Sequence, residues 1–119
     1  MDTLSQTFSA LADPTRCRML LLLERHELTV SELCAVLQMP QSSVSRQLKT
    51  LADDRWIASR RDATSRFYSM PADDLEETAA RLWPLVRDHV SQSKAALHDA
   101  RRGAAVVVRG RAGRDMVVP

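Results

Sequence analysis

Two short amphipathic runs, residues 30–37 and 41–51, are separated only by Gln38-Met39-Pro40, and this pairing restricts what the chain can fold into. In the first run Val30, Leu33, Cys34 and Leu37 make one apolar stripe at helical spacing. Thr29 followed by Glu32 is a capping-box start for it. In the second run Val44, Leu48 and Leu51 make the stripe. Two short helices joined by so brief a turn predict a helix-turn-helix.

The outer face of the second helix points to a chemistry. Ser42, Arg46, Lys49 and Asp53 fall opposite the stripe, flanked by Ser43 and Thr50, with Gln47 at the edge. Short hydroxyls with an Arg and a Lys can reach base edges and phosphates in a DNA major groove. A face like this on an isolated helix is more commonly just solvated surface. The rest of the chain supplies the context that favours nucleic acid.

Leu4, Phe8 and Leu11 predict a first helix over residues 3–12. Asp13-Pro14 ends it and starts the next, because Asp caps well and Pro is tolerated at the first helical position. That second helix runs over 14–25 and is apolar all round at Met19 and residues 20–23, so it should be the buried one. Beyond residue 55 the period changes. Residues 56–61 and 65–70 read as two strands, turned at Asp62-Ala63-Thr64. A hairpin after a helix-turn-helix is a wing, and its arginines would lie near phosphates. Pro71 and Asp73 open a long final helix in which Leu75, Ala79, Leu82, Val86, His89, Ser93 and Ala96 form a coiled-coil-like seam, bent at Pro84. Such a seam suits a partner helix, and a dimer is what a helix-turn-helix needs to read two half-sites.

Composition supports this organisation. The 119 residues fit one small domain, and 45% apolar content with only 4% aromatics predicts helices packed on helices. Net charge is only +2, but Arg55, Arg60, Arg61 and Arg66 crowd one segment, and Arg101, Arg102, Arg109, Arg111 and Arg114 another. A local basic patch is the electrostatic footprint of a DNA binder. No apolar run is long enough to span a membrane, and the start lacks a basic, then apolar, leader pattern, so a cytoplasmic location is expected. Two distant cysteines make no disulfide framework. No Ser-His-Asp order, paired-carboxylate pocket or phosphate loop is present, so no enzyme activity is expected. The expected architecture is mainly α with a small β-hairpin wing, a winged helix-turn-helix of about five helices and two strands over residues 1–100. A basic tail over 101–119 follows. From Gly103 it has no helical stripe; disorder is favoured over a short added strand.

Ala12-Asp13-Pro14-Thr15-Arg16, Leu28-Thr29-Val30-Ser31-Glu32-Leu33-Cys34, Gln41-Ser42-Ser43-Val44-Ser45-Arg46-Gln47-Leu48 and the basic hairpin occur in one fixed order. In this the chain resembles the ArsR/SmtB family of bacterial winged-helix repressors, over roughly residues 4–100. Gln41-Ser42-Ser43-Val44-Ser45-Arg46 and Leu82-Trp83-Pro84-Leu85-Val86-Arg87 are also similar to the DNA-binding segment fused to some bacterial methyltransferases. No glycine-rich nucleotide loop follows here. The resemblance implies a homodimer, with the first and last helices at the interface, that sits on an operator and leaves it when an effector binds. Leu4, Phe8, Leu11, Leu82, Val86, His89 and Val90 are the expected interface residues. Many members have Gly at the position of Arg55 and at the wing tip, where this chain has Ala63-Thr64. A left-handed backbone at Arg55 would cost roughly 1 kcal/mol against Gly.

Arg46 is the expected base reader, because Arg can bond two acceptors of guanine at once. Gln47 could pair with adenine. Gln41, Ser42, Ser43 and Ser45 sit near a positive helix start, in reach of phosphates or bases. Lys49, Arg60, Arg61 and Arg66 are expected phosphate contacts. The effector is less defined. Cys34 matches the first thiol of the family's Glu-Leu-Cys-x-Cys pattern, but position 36 is Val, so the ligand set for a metal or metalloid is incomplete. Cys17 and Cys34 are candidates for an effector or thiol switch, against a competing reading as small core residues. The family's second metal pattern has Asp and His two apart, whereas Asp88-His89 are adjacent and followed by His98-Asp99. No metal site and no certain cofactor are assigned. The expected function is a sequence-specific DNA-binding regulator, a homodimeric repressor of an operator duplex released by a small effector. The alternative is a winged-helix protein-interaction module without operator-specific binding.

Overall fold

The computed structural model describes residues 3–116, with side chains described through Arg109 except that of Ala72. Six helices and one antiparallel hairpin run in the order α1 (Thr3–Leu11), α2 (Pro14–Arg25), α3 (Val30–Leu37), α4 (Gln41–Asp53), β1 (Ala58–Asp62), β2 (Ser65–Ser69), α5 (Glu77–Val90) and α6 (Lys94–Met116). A 3-10 turn at Ala72–Asp74 precedes α5.

Helices α2, α3 and α4 are set by local signals. Asp13 caps α2, its Oδ1 accepting from Thr15 N at 2.8 Å and Arg16 N at 3.3 Å, with Pro14 at the first helical position. Thr29 and Glu32 close a reciprocal capping box on α3. Gln38 ends α3 in the left-handed region at φ 58°, and Pro40, with φ −69°, leads directly into α4. That left-handed residue turns the chain sharply enough for α4 to pack back on α3.

Helix α2 is the centre of the core, with Met19 through Leu23 all buried. Leu33, Val36 and Leu37 of α3 and Val44, Leu48 and Leu51 of α4 close on it. Val36 is a core residue that the sequence stripe did not include, while Val30 and Cys34 of that stripe are half-buried. The hairpin pairs Arg60 with Phe67 and Arg61 with Arg66. It is tied to the body by an extra bridge in which Tyr68 N donates to Leu28 O at 2.8 Å and Leu28 N to Tyr68 O at 3.0 Å. Ala63 takes φ 56° at the wing tip and Arg55 takes φ 63° after α4, so both positions are left-handed without glycine.

Three expectations for the helices need correcting. The final helix is two, not one. Ser93 Oγ accepts from Ala96 N at 3.1 Å and so caps a new helix directly after α5 ends. The seam is divided with it: Leu75 precedes α5, Ser93 and Ala96 lie beyond its end, and within α5 Ala79 is buried, Leu82 and Val86 are half-buried and His89 is exposed. Trp83 meets Trp56 edge to face, ring centroids 6.4 Å apart, and donates from Nε1 to Glu24 at 2.8 Å. Finally, the expected tail continues α6 as far as Met116; residues 117–119 lie outside the described part.

The physical reason for the third correction is packing that has no sequence period. Gly103 lies against α2, where a Cβ would come within 3.2 Å of Leu22 Cδ2. Asp99, only 2% exposed, accepts from Arg18 Nε at 2.7 Å and Nη2 at 2.9 Å and from Arg102 Nη2 at 3.2 Å. Arg102 Nε donates to Val36 O near the end of α3 at 2.6 Å. Val106 is buried as well.

Candidate nucleic-acid interface

Alternation along α4 separates a buried stripe from an outer face. With Val44, Leu48 and Leu51 turned inward, Gln41, Ser42, Ser45, Arg46 and Lys49 are exposed, and Ser43 and Gln47 are half-buried. Arg46 makes no side-chain hydrogen bond or ion pair among the described residues, although its backbone carbonyl accepts from Thr50 Oγ1 at 3.3 Å. Lys49 meets Asp53 one turn on at 3.1 Å, a solvated pair worth only a few tenths of a kcal/mol and easily exchanged for another anion.

Gln47 is placed differently from its neighbours. Its Oε1 accepts from Arg16 Nη1 at 3.1 Å and its Nε2 donates to Asp13 Oδ2 at 3.4 Å. The side-chain amide is thus engaged within the protein.

The wing divides its arginines by strand alternation, which sends successive side chains to opposite faces. Ser59, Arg61, Arg66 and Tyr68 share one face by their register, and Tyr68 lines a shallow hollow with Ser45, Leu48 and Lys49 of α4. Arg61 and Arg66 are therefore on the α4 side, opposite one another, with Arg66 Nη1 donating to Ser59 Oγ at 2.9 Å. Arg60 and Phe67 occupy the other face, in a cleft shared with Glu27, His26 and Val107. There Arg60 makes a two-pronged pair with Glu27 at 2.8 and 2.9 Å, and its guanidinium carbon lies 5.1 Å from the Phe67 ring centroid. The bond from Arg60 holds the Glu27 carboxyl below the ordinary carboxylate range. Of the three wing arginines, Arg60 is thus the one paired with carboxylates among the described residues; Glu27, like Arg16, is a residue that sequence reading missed. Period-2 alternation puts Arg60 and Arg61 on opposite faces, but no local pattern pairs Arg60 with Glu27, 33 positions away.

The expected interface residues fall on one side of α1 and α5. Leu4 and Phe8 are 51% and 54% exposed, and Thr7 and Ala10 face inward instead. Leu11, Leu82, Val86 and Val90 are half-buried, His89 is exposed, and neighbouring Leu85 is 70% exposed. Leu11, Pro14, Cys17, Leu85, Val86 and Val90 are among the residues lining an open, mostly apolar groove of about 800 Å³.

The two thiols are unpaired. Cys17 Sγ donates to Leu11 O at 3.2 Å, and burial pushes its pKa up. Cys34 is half-buried and packs against the core. Among the described residues no three of His, Cys, Asp and Glu gather as a metal site.

This arrangement has known counterparts. The sequence profile of the bacterial regulatory protein, arsR family, matches residues 13–58, from the cap of α2 to the first residue of the wing. The chain is 33% identical over 100 residues to the HTH-type transcriptional regulator MT0088 of Mycobacterium tuberculosis, covering 83% of this chain and 88% of that protein. The chain belongs to the ArsR family. This ArsR-family chain is also 36% identical over 90 residues to the transcriptional repressor SmtB homolog of Synechocystis, covering 76% of itself and 65% of that relative. Its fold matches the solution structure of the homodimeric winged helix-turn-helix DNA-binding domain Mb0332 of Mycobacterium bovis, with a TM-score of 0.62 and 26% identity, over 78% of this chain and 82% of that one. The ArsR-family member described here is a winged helix-turn-helix, DNA-binding transcriptional regulator. No helix among its described residues is long and apolar enough to cross a membrane.

Proposed function

We propose that the chain is a homodimeric repressor that reads an operator duplex with α4 and is released from it by a small effector. The observation that carries this reading is the exposed, unpartnered Arg46 beside Ser42 and Ser45, with Arg61 and Arg66 of the wing on the same side. Two arginines directly opposite on a hairpin repel each other, an arrangement that an anion between them relieves. In this reading Arg46 reads a base, Gln41, Ser42, Ser43 and Ser45 meet phosphates or base edges near the start of α4, and Lys49, Arg61 and Arg66 meet phosphates. Gln47 and Arg60 hold the two reading elements in place instead.

The exposed Leu4, Phe8 and Leu85, with Leu11, Leu82, Val86, His89 and Val90 around them, form the face that a second copy covers. The relatives named as a repressor and as a homodimer support both parts of this reading. Cys17 and Cys34 serve packing: burial of Cys17 disfavours the thiolate that metal binding or oxidation requires. The effector in this reading does not depend on a thiol pair.

The test is selection from random duplexes by the purified protein at two salt concentrations. Enrichment of an inverted repeat with half-sites about one helical turn apart is the expected result. Weak, salt-sensitive binding with no enriched sequence would favour an interaction module instead.

A further inference from the structure

Arg16 belongs to neither the reading face nor the exposed apolar face, yet it touches the elements that carry both. Its Nε donates to Ala10 O at 2.9 Å and its Nη2 to Ser9 O at 2.9 Å, both carbonyls of the last turn of α1. Its Nη1 donates to Gln47 Oε1 of α4 at 3.1 Å and lies 3.5 Å from Asp13 Oδ2. Gln47 Nε2 closes the ring on Asp13 at 3.4 Å. The side chain of Arg16 is only 17% exposed. One guanidinium therefore joins the carbonyl end of α1, the cap of α2 and the middle of α4.

The chemistry needs an arginine. The last carbonyls of a helix lack partners along the chain and sit at the negative end of its dipole, so a cation that also donates hydrogen bonds suits them. Bonding in three directions at once requires the planar five-donor fork of a guanidinium; the single ammonium of Lys keeps the charge and loses the fork. Gln47 is equally committed, with its oxygen and its nitrogen both engaged.

We propose that Arg16 is a positioning residue that couples dimer assembly to DNA reading, by fixing α4, through Gln47, relative to the helix that carries Leu4 and Phe8. This rests on the reading above, in which α1 lies at the dimer interface and α4 on the operator. If the two equilibria are linked through this contact, operator binding must tighten the dimer by the same factor by which dimerisation tightens operator binding. Gln47 then influences affinity without choosing a base.

Wild type, Arg16→Lys, Gln47→Ala and the double variant test this, with circular dichroism melting to show that each is folded. Random-duplex selection reads base preference, and sedimentation with and without the selected duplex reads the dimer constant. Each single variant should bind the operator about five- to tenfold more weakly with its preferred bases unchanged. The operator-induced tightening of the dimer should shrink in both, and the double variant should lose no more than the worse single one. Gln47→Met, of similar length without hydrogen-bonding groups, should behave as Gln47→Ala does. A changed preference at one base position in either Gln47 variant, additive losses, or undiminished linkage would overturn the coupling role while leaving the repressor reading standing. A wild type that selects no sequence or forms no dimer would overturn that reading and this inference with it.

Discussion

Charge at the wing tip and on α4 is distributed by what each arginine touches. Arg46 and Arg61 are exposed without a side-chain partner among the described residues, Arg66 is held only by a serine hydroxyl, and Arg60 is paired to Glu27. Replacing Arg61 and Arg66 together by Ala should therefore weaken all duplexes alike and reduce the slope of log affinity against log salt by about two per protomer, or roughly four for the bound dimer. Arg60→Ala should change that slope by less than about half a unit. It should loosen the wing, seen as faster amide exchange at Phe67 and Tyr68. The Glu27 carboxyl titrates below its ordinary range in the folded protein, so its pairing contributes at neutral pH and is lost only as pH falls through that lowered value. Wing protection, taken relative to the intrinsic exchange rate at each pH, should accordingly stay flat from neutral pH to mildly acidic solution and fall only below the ordinary carboxylate range, a profile that Glu27→Gln would abolish. At Cys17 the shift has the opposite sense. Its raised pKa keeps the thiol protonated, so iodoacetamide at neutral pH should label it far more slowly in the native protein than in denaturant, as read by mass spectrometry.

Elements were legible where a side chain announces its own cap or period. Asp13-Pro14, the Thr29–Glu32 box and the Val44, Leu48, Leu51 stripe are local signals, and α2, α3 and α4 begin where those signals put them. The C-terminal third was not legible in the same way. Ser93 offers a cap, but the apolar spacing runs straight through it, so two helices read as one. Gly103 reads as a breaker, yet it is the residue that lets α6 approach Leu22. The energetic centre of α6, Asp99 between Arg18 and Arg102, joins residues 81 positions apart in one direction and three in the other. No pattern along the sequence exposes such a pair. Asp99→Ala should leave both guanidiniums without their buried acceptor and cost about 2–3 kcal/mol, near the lower end for breaking a buried pair because both arginines are partly solvated. The shift in urea midpoint measures it, and Asp99→Asn should lose less.

For the whole molecule, the division of labour follows from which surfaces the core leaves uncovered. Leu and Val side chains of α2, α3 and α4 satisfy one another, so the exposed leucines and Phe8 on α1 and α5 are left uncovered, and this is the face the proposed dimer would cover. Phe8→Glu with Leu85→Glu should shift the protein to monomer at micromolar concentration in sedimentation while its melting curve changes little, since neither residue is in the core. The candidate reading face was evident from residues 41–51, because a helix with one apolar stripe must present the rest outward. The internal duties of Gln47 and Arg60 depend on Arg16 and Glu27, which lie 31 and 33 positions away, and only the folded chain brings them together. In the proposed repressor, Arg46 selects the sequence from this face. Titrating wild type and Arg46→Ala against the selected operator and a scrambled duplex of equal length tests it most directly. Wild type should prefer the operator, and Arg46→Ala should bind both duplexes alike, close to the wild-type affinity for the scrambled one. An unchanged preference in Arg46→Ala would contradict it.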